Sequence, residues 1–395
     1  VARPKKIRAE KVKKPRKVRE PKELKVAKVK PNANTVFFEK LAKSTGNELA
    51  QAACNGIVAG DITGWIDTGV YILNGQLSGS IYGGVPNCKI IVFAGPEAVG
   101  KTYFILSIIK HFLDTTPDGG VFLFESEGAI SKEMLVERGI DTTRLYVVSV
   151  STIQEWRTQA LKILRVYQDA GDNQRPMLFA LDSLGNLSTT KEMADTESGS
   201  EKADMTRARL IKAAFRTITL KLGVLKVPFF VTNHTYDTQG VFSTKVQSGG
   251  SGVKYANSIT VFLSKSKEKE GTNVVGSLIR SQLKKGRLTK EETKVEMKLY
   301  NDARGLDRYY GLLDLAIKYD IAVKAIDKKG KVIKDHWVLG GEEGSEKVIY
   351  AHPEKYFTKE VLDQLDIAAG KEYKYGSNIA ISESDEVSEI EEDNE

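Results

Sequence analysis

Cysteine is scarce in this chain. Cys54 and Cys88 are the only two in 395 residues, too few for a disulfide framework, and both read as free thiols. The four histidines, His111, His234, His336 and His352, are scattered, so no His/Cys set has metal-ligand spacing. No run of eighteen apolar residues occurs, so the sequence predicts no membrane span and no membrane partner. The basic start, VARPKKIRAEKVKK, lacks the apolar stretch of a secretory signal. What is present is an ordinary apolar fraction, 41%, in a length that suits one large domain with extensions, or two domains.

Charge is strongly polarised along the chain. From Val1 to Pro31, fourteen Lys or Arg face three Glu, a net +11, while Ser382 to Glu395 carries eight acidic residues and no basic one. Such blocks predict disordered tails. The basic arm, punctuated by Pro4, Pro15, Pro21 and Pro31, has too little apolar surface to fold alone. Two readings of it stay open: a solubilising or targeting arm, or a loose electrostatic hold on nucleic acid. The acidic tail is read either as a competitor for the basic surface or as an inert solubilising tail.

The segment KIIVFAGPEAVGKTYF, from Lys89 to Phe104, is an apolar strand leading into G-x-x-x-x-G-K-[ST] and then a helical pattern. That context predicts a nucleoside triphosphate site. Gly95, Pro96, Glu97, Val99 and Gly100 form the turn whose backbone N–H groups converge on phosphate oxygens at a helix N-terminus. Lys101 neutralises the β- and γ-phosphates, and Thr102 offers its hydroxyl to Mg²⁺. Apolar runs at 120–126, 145–150, 177–183, 227–234 and 258–264 read as further strands. Helical patterns at 153–171 and 205–223 separate some of them. The alternation predicts an α/β fold with a largely parallel central sheet. Residues Val36–Ala53 read as an amphipathic helix with a break near Gly46. Asp182 ends the strand MLFALDS, where ligands bind in open α/β sheets, and is the candidate second metal-side acid. Glu127, also at a strand end, is a candidate for activating water; on the residues alone, Glu125 is no worse.

These segments, GPEAVGKT, FESEGA, LDSLGNL and NHTYDT followed by GGSGVKYANS, stand in the order found in RecA-type recombinases. The resemblance covers about Ile66 to Asp320, and the run from LDSLGNLSTTKE to VTNHTYDTQGVFS is most similar to the UvsX type of T4-type bacteriophages. It implies a RecA-type P-loop ATPase core that uses ATP and Mg²⁺. Lys101, Thr102 and Asp182 then bind nucleotide and metal, Glu127 activates water, and His234 senses the γ-phosphate. Tyr103 falls beside the nucleotide. Met134 occupies the position where the family commonly has a tyrosine against adenine. Lys285 and Arg287 match a basic pair that reaches the neighbouring subunit's nucleotide; read alone, KKGRLTK is an exposed basic turn.

Two loops, about Ser188–Asp204 and Thr235–Ala256, are implied to face DNA. The second contains Phe242, Lys245, Gly249, Gly250 and Lys254, and is expected to be disordered until it closes on phosphates. The first is acidic, so Arg209 and Arg216, seven apart on one helix face, are expected to supply the cationic help.

The domains expected are a disordered basic arm (1–31), an N-terminal oligomerisation helix and linker (32–65), the ATPase core (66–299), a small C-terminal lobe (300–375) and a disordered acidic tail (376–395). The implied function is a DNA-dependent ATPase that forms helical filaments on single-stranded DNA. It pairs that strand with homologous duplex in recombination, repair and recombination-dependent replication, aided by mediator and single-strand-binding proteins. The implied location is the cytoplasm, that of the bacterial host if the chain is phage-encoded. Two alternatives are a ring-forming helicase on the same fold, and an ATP-binding recombination accessory protein without productive turnover.

Overall fold

The structure, a computed structural model, describes residues 33–199, 206–237, 245–247, 256–270, 273–302, 304–327 and 329–376. It divides into two units, residues 1–56 and 57–395. In the first, α1 (Ala33–Ser44) is the one α-helix described, and the predicted continuation to Ala53 is absent. The hydroxyls of Ser44 and Thr45 donate back to the carbonyls of Leu41 and Ala42, and Gly46 turns the chain at φ +65°. Hydroxyl competition followed by a left-handed glycine is a sufficient stop signal. Beyond it only a short 3₁₀ turn, Ala53–Asn55, forms.

The second unit opens with β1 (Trp65–Ile66), α2 (Tyr71–Ser78) and β2 (Val85–Pro86). Then β3 (Ile90–Gly95) leads through the glycine turn into α3 (Lys101–Thr115). Next come β4 (Gly120–Glu125), α4 (Lys132–Glu137), β5 (Leu145–Ser149), α5 (Ile153–Asp169) and β6 (Met177–Asp182). After these follow α6 (Thr190–Glu197), α7 (Arg207–Leu225), β7 (Phe229–Asp237), β8 (Lys245–Gln247), β9 (Ile259–Glu270), β10 (Asn273–Gly286) and β11 (Lys294–Tyr300). The large sheet runs β11-β10-β9-β3-β7-β6-β4-β5, with β8 paired to β7. From β9 to β5 neighbouring strands are parallel; β10 and β11 continue it antiparallel. The α/β expectation is met.

Period-two alternation divides β3 between two cores. Ile91 and Phe93 join the cluster built with Phe104, Ile108 and Phe230. Ile90, Val92 and Ala94 join the opposite one, with Trp156, Phe215 and Phe229. Both faces are dry, as a parallel sheet requires. The C-terminal segment adds α8 (Leu312–Lys318), an antiparallel sheet of β12 (Val323–Ile326), β13 (Val332–Leu339) and β14 (Glu342–Ser345), then α9 (Glu346–Ala351), α10 (Pro353–Tyr356) and α11 (Lys359–Tyr373). Leu312, Ile349, Leu365 and Tyr373 enter the same cluster as Phe93 and Leu77. Among the described residues no helix is long and apolar enough to cross a membrane.

The two loops expected to face DNA are only partly described. The first contains α6, closed by a capping box between Thr189 and Glu192. In the second, β7 continues past His234 to Asp237 and pairs with β8, so this part of the predicted disordered loop is an antiparallel hairpin. Backbone pairing of Thr235 with Gln247 and of Asp237 with Lys245 holds it.

Candidate active site

The glycine turn between β3 and α3 is a place where side chains do not fit. A Cβ on Gly95 would stand 2.8 Å from the Leu263 carbonyl oxygen, and Gly100 has φ +93°. No side chain caps α3, so its first amides are left for an anion. Lys101 is 7% exposed, and its Nζ donates to the carbonyls of Gly95 (3.2 Å) and Pro96 (2.9 Å). Burial pushes its pKa down, while Glu127, Asp182 and Glu97 pull it back up.

Strand register delivers the other groups. Gly95 lies opposite His234 on β7, and Glu125 opposite Asp182 on β6, so all four reach one edge of the sheet. Asp182 is 4% exposed and accepts hydrogen bonds from Thr102 and Thr232; burial nonetheless raises its pKa. Geometry separates the two candidate glutamates. Glu125 is buried, and its Oε1 accepts the backbone N–H groups of Glu127 (2.9 Å) and Ala129 (3.1 Å), which shapes the turn after β4. Glu127 faces the pocket, where its Oε1 accepts the Ser183 hydroxyl at 2.5 Å and lies 3.4 Å from His234 Nε2. His234 Nδ1 is 3.5 Å from Lys101 Nζ. The imidazole therefore spans the glutamate and the phosphate-loop lysine.

These side chains line one pocket of about 850 Å³. Its walls include Glu97, Val99, Gly100, Tyr103, Arg138, Tyr300 and Asn301. Met134, at the position where the family commonly has a tyrosine against adenine, is not among them. Ser131 caps α4 through the Met134 amide, and the helix turns Met134 with Leu135 onto the hydrophobic core. Arg138, Tyr300 and Asn301 were missed in the sequence, because no motif surrounds them. They arrive through the bend after α4 and through β11, three strands from β3 in the sheet. Arg207 was also missed. It donates to the carbonyls of Gly185 (2.7 Å) and Leu187 (3.0 Å), tying α7 to the turn behind His234.

Arg209 and Arg216 are both exposed on α7, as their spacing predicted. Lys245 lies in β8; Phe242, Gly249, Gly250 and Lys254 fall outside the described residues. The structure does not bring Lys285 or Arg287 to the phosphate pocket. Lys285 Nζ donates to the Asn257 carbonyl at 2.7 Å, and burial lowers its pKa. Arg287 lines a separate cavity of about 610 Å³ with Lys89, Ile90 and Arg216. That cavity sits at the start of β3, a strand length of roughly 17 Å from Gly95.

A family model described as the RecA N-terminal domain matches residues 60–305. The chain is 31% identical over 259 residues to the "Recombination and repair protein" of Enterobacteria phage T4, covering 66% of this chain and 65% of that protein. It thus matches slightly less than two thirds of that relative's length. It is also 26% identical over 302 residues to "Protein RecA" of Thermus aquaticus, covering 73% of this chain and 84% of that one. To "Protein RecA" of Borrelia duttonii it is 27% identical over 294 residues, 72% and 75% of the two chains. With the family model spanning more than half the chain and its matched region holding the phosphate loop, Glu127, Asp182 and His234, this protein belongs to the RecA family.

Proposed function

We propose that this chain is an ATP-dependent DNA recombinase that assembles as a helical filament on single-stranded DNA and pairs it with homologous duplex. The observation carrying the reading is the meeting in one pocket of Lys101, Thr102, Asp182, Glu127 and His234. Lys101 and the loop amides hold the phosphates. Glu127, oriented by the Ser183 hydroxyl, takes the proton of an attacking water. His234, within reach of Glu127, Ser183 and Lys101, reports the state of the site along β7 to the β7–β8 hairpin.

The donor set fits Mg²⁺. A threonine hydroxyl and a carboxylate are hard oxygen donors, and among the described residues no cluster of three or more His, Cys, Asp or Glu would hold a metal alone. Thr102 and Asp182 would hold the ion directly or through water, with nucleotide oxygens completing its shell. It would supply neutralisation of phosphate charge.

Lys285 and Arg287 lie too far from Gly95 to serve their own protomer's nucleotide. In a head-to-tail assembly they would serve the next protomer's. Single- and double-stranded DNA, other copies of the chain, and mediator and single-strand-binding proteins are the partners proposed. The test is ATP hydrolysis by the full chain with and without single-stranded DNA, alongside Glu127→Gln. Strong stimulation by DNA, lost in the variant with nucleotide binding retained, is expected. Turnover indifferent to DNA would overturn the recombinase reading.

A further inference from the structure

We infer that Arg138, laid flat on Tyr103, is the residue that contacts the nucleobase in this pocket and sets its base preference. The inference rests on the nucleotide-binding reading above and deepens it. The Arg138 guanidinium carbon lies 3.7 Å from the centroid of the Tyr103 ring, a stacked cation-aromatic pair. Both residues line the phosphate pocket, and Tyr103 is 40% exposed.

Among the described residues Arg138 has no hydrogen-bond acceptor, and its Nε is buried without one. Burial lowers its pKa, while Tyr103 and Glu137 raise it. A planar cation with unfilled N–H groups at the wall of a polar pocket matches a flat heterocycle carrying ring-nitrogen and carbonyl acceptors.

Position in the pocket separates this pair from the phosphate chemistry. Lys101 lies against the Gly95 and Pro96 carbonyls and His234, whereas Arg138 lies against Tyr103 and also borders a second, smaller cavity. Around Arg138 the wall is completed by the turn after β11. Asp302, Arg304 and Gly305 share a small cavity with it, and Gly305 packs close against Ser107 on α3. Tyr300 and Asn301, which begin that turn, line the phosphate pocket. Arg304 is engaged by Asp302 and stacks on Tyr300, so it is already satisfied. Arg138 is left as the guanidinium with donors to offer.

The local chain explains how it is held. Arg138 terminates α4, whose Leu135 is anchored in the core, and Gly139 at φ +66° turns the chain away immediately afterwards. Met134, the residue that stands in the family's base-packing position, packs partly buried against that same core. Base contact thus moves one helical turn along α4, from position 134 to position 138. Because arginine only donates, the edge it reads is an acceptor edge. Guanine offers two adjacent acceptors, O6 and N7, where adenine offers N7 beside a donor amine. The pocket is therefore expected to accept GTP alongside ATP, and pyrimidine triphosphates, with less stacking area, more weakly.

The test is equilibrium binding of ATP, GTP and inorganic triphosphate, each with Mg²⁺, to the full-length wild type, Arg138→Met and Arg138→Lys. Inorganic triphosphate reports the phosphate loop alone. The expected result is a loss of about fivefold or more for ATP in Arg138→Met, the scale of one cation-aromatic contact. The loss should be larger for GTP, with inorganic triphosphate unchanged. Arg138→Lys, which keeps charge and stem but not the plane, should lose ATP affinity to a smaller extent. Equal losses for all three ligands would make Arg138 a structural residue and overturn the inference, as would ATP and GTP affinities within twofold of wild type. Failure of the wild type to bind any triphosphate would instead remove the nucleotide-binding reading on which the inference stands.

Discussion

Gly185→Ala tests the His234 relay by displacing the imidazole rather than removing it. A Cβ on Gly185 would stand 2.5 Å from His234 Cδ2 and 3.5 Å from its Nε2. Carbon–carbon contact is comfortable at about 3.5 Å, so the ring must move by roughly 1 Å. Gly185 cannot retreat freely, because its carbonyl accepts Arg207 Nη2 at 2.7 Å. Its φ is not positive, so alanine adds no backbone strain. The imidazole lies 3.4 Å from both Glu127 Oε1 and Ser183 Oγ, already at the outer limit of hydrogen bonding. A further ångström breaks both contacts. Misplacement on this scale costs about 100-fold in rate, against a stability cost of about 1–3 kcal/mol for overpacking. Steady-state ATP hydrolysis with saturating single-stranded DNA, paired with ATP binding and a denaturant titration, measures the three quantities. The expected outcome is a large loss of DNA-stimulated turnover with binding retained. The double variant with His234→Ala should be little worse than either single one, because both act on the same contacts. Wild-type turnover in Gly185→Ala would refute the relay, and fully additive losses would show that Gly185 acts through something other than His234.

Asp182→Asn is expected to raise the unfolding midpoint of the nucleotide-free protein while weakening Mg²⁺-dependent ATP binding. Burial holds the folded pKa of Asp182 above its unfolded value. The stability it contributes is thus complete below the unfolded value and is lost as pH rises through the folded one. The advantage of the amide should therefore grow as pH rises from below the unfolded value, which denaturant titrations from acidic to neutral pH would show. For the head-to-tail arrangement, Glu127→Gln protein and Lys285→Ala/Arg287→Ala protein should each be inactive alone. Mixed in equal amounts they should recover up to about one quarter of wild-type turnover, since random assembly makes one interface in four intact. No recovery on mixing would count against action between protomers.

The phosphate loop was legible because its chemistry is local. Glycines, the lysine and the threonine must be consecutive for backbone amides to converge, so Gly95–Thr102 identifies itself in one dimension. The strands were legible too, through continuous apolar runs such as Ile90–Ala94, which a parallel sheet buried on both faces demands. The break near Gly46 was legible from the glycine, but the absence of helix beyond it was not, because the apolar spacing of Leu49 and Ala53 looks the same whether or not the chain resumes a helix.

Roles that depend on which way a side chain points were decided only by the tertiary structure. Glu125 and Glu127 are two residues apart with the same chemistry, yet one shapes a turn and the other faces the pocket, because the chain leaves β4 between them. Met134 lies on a short helix that Arg138 ends, and the first packs partly buried against the core while the second lines the pocket wall. His234 meets Glu127 only because β7 and β4 end at the same edge of the sheet with β6 between them, 107 residues apart in the chain. Sequence alone determined the groups that act through consecutive backbone, since local spacing dictates their geometry. The groups that act through side chains from separate strands were set by sheet order and register, which no local spacing encodes.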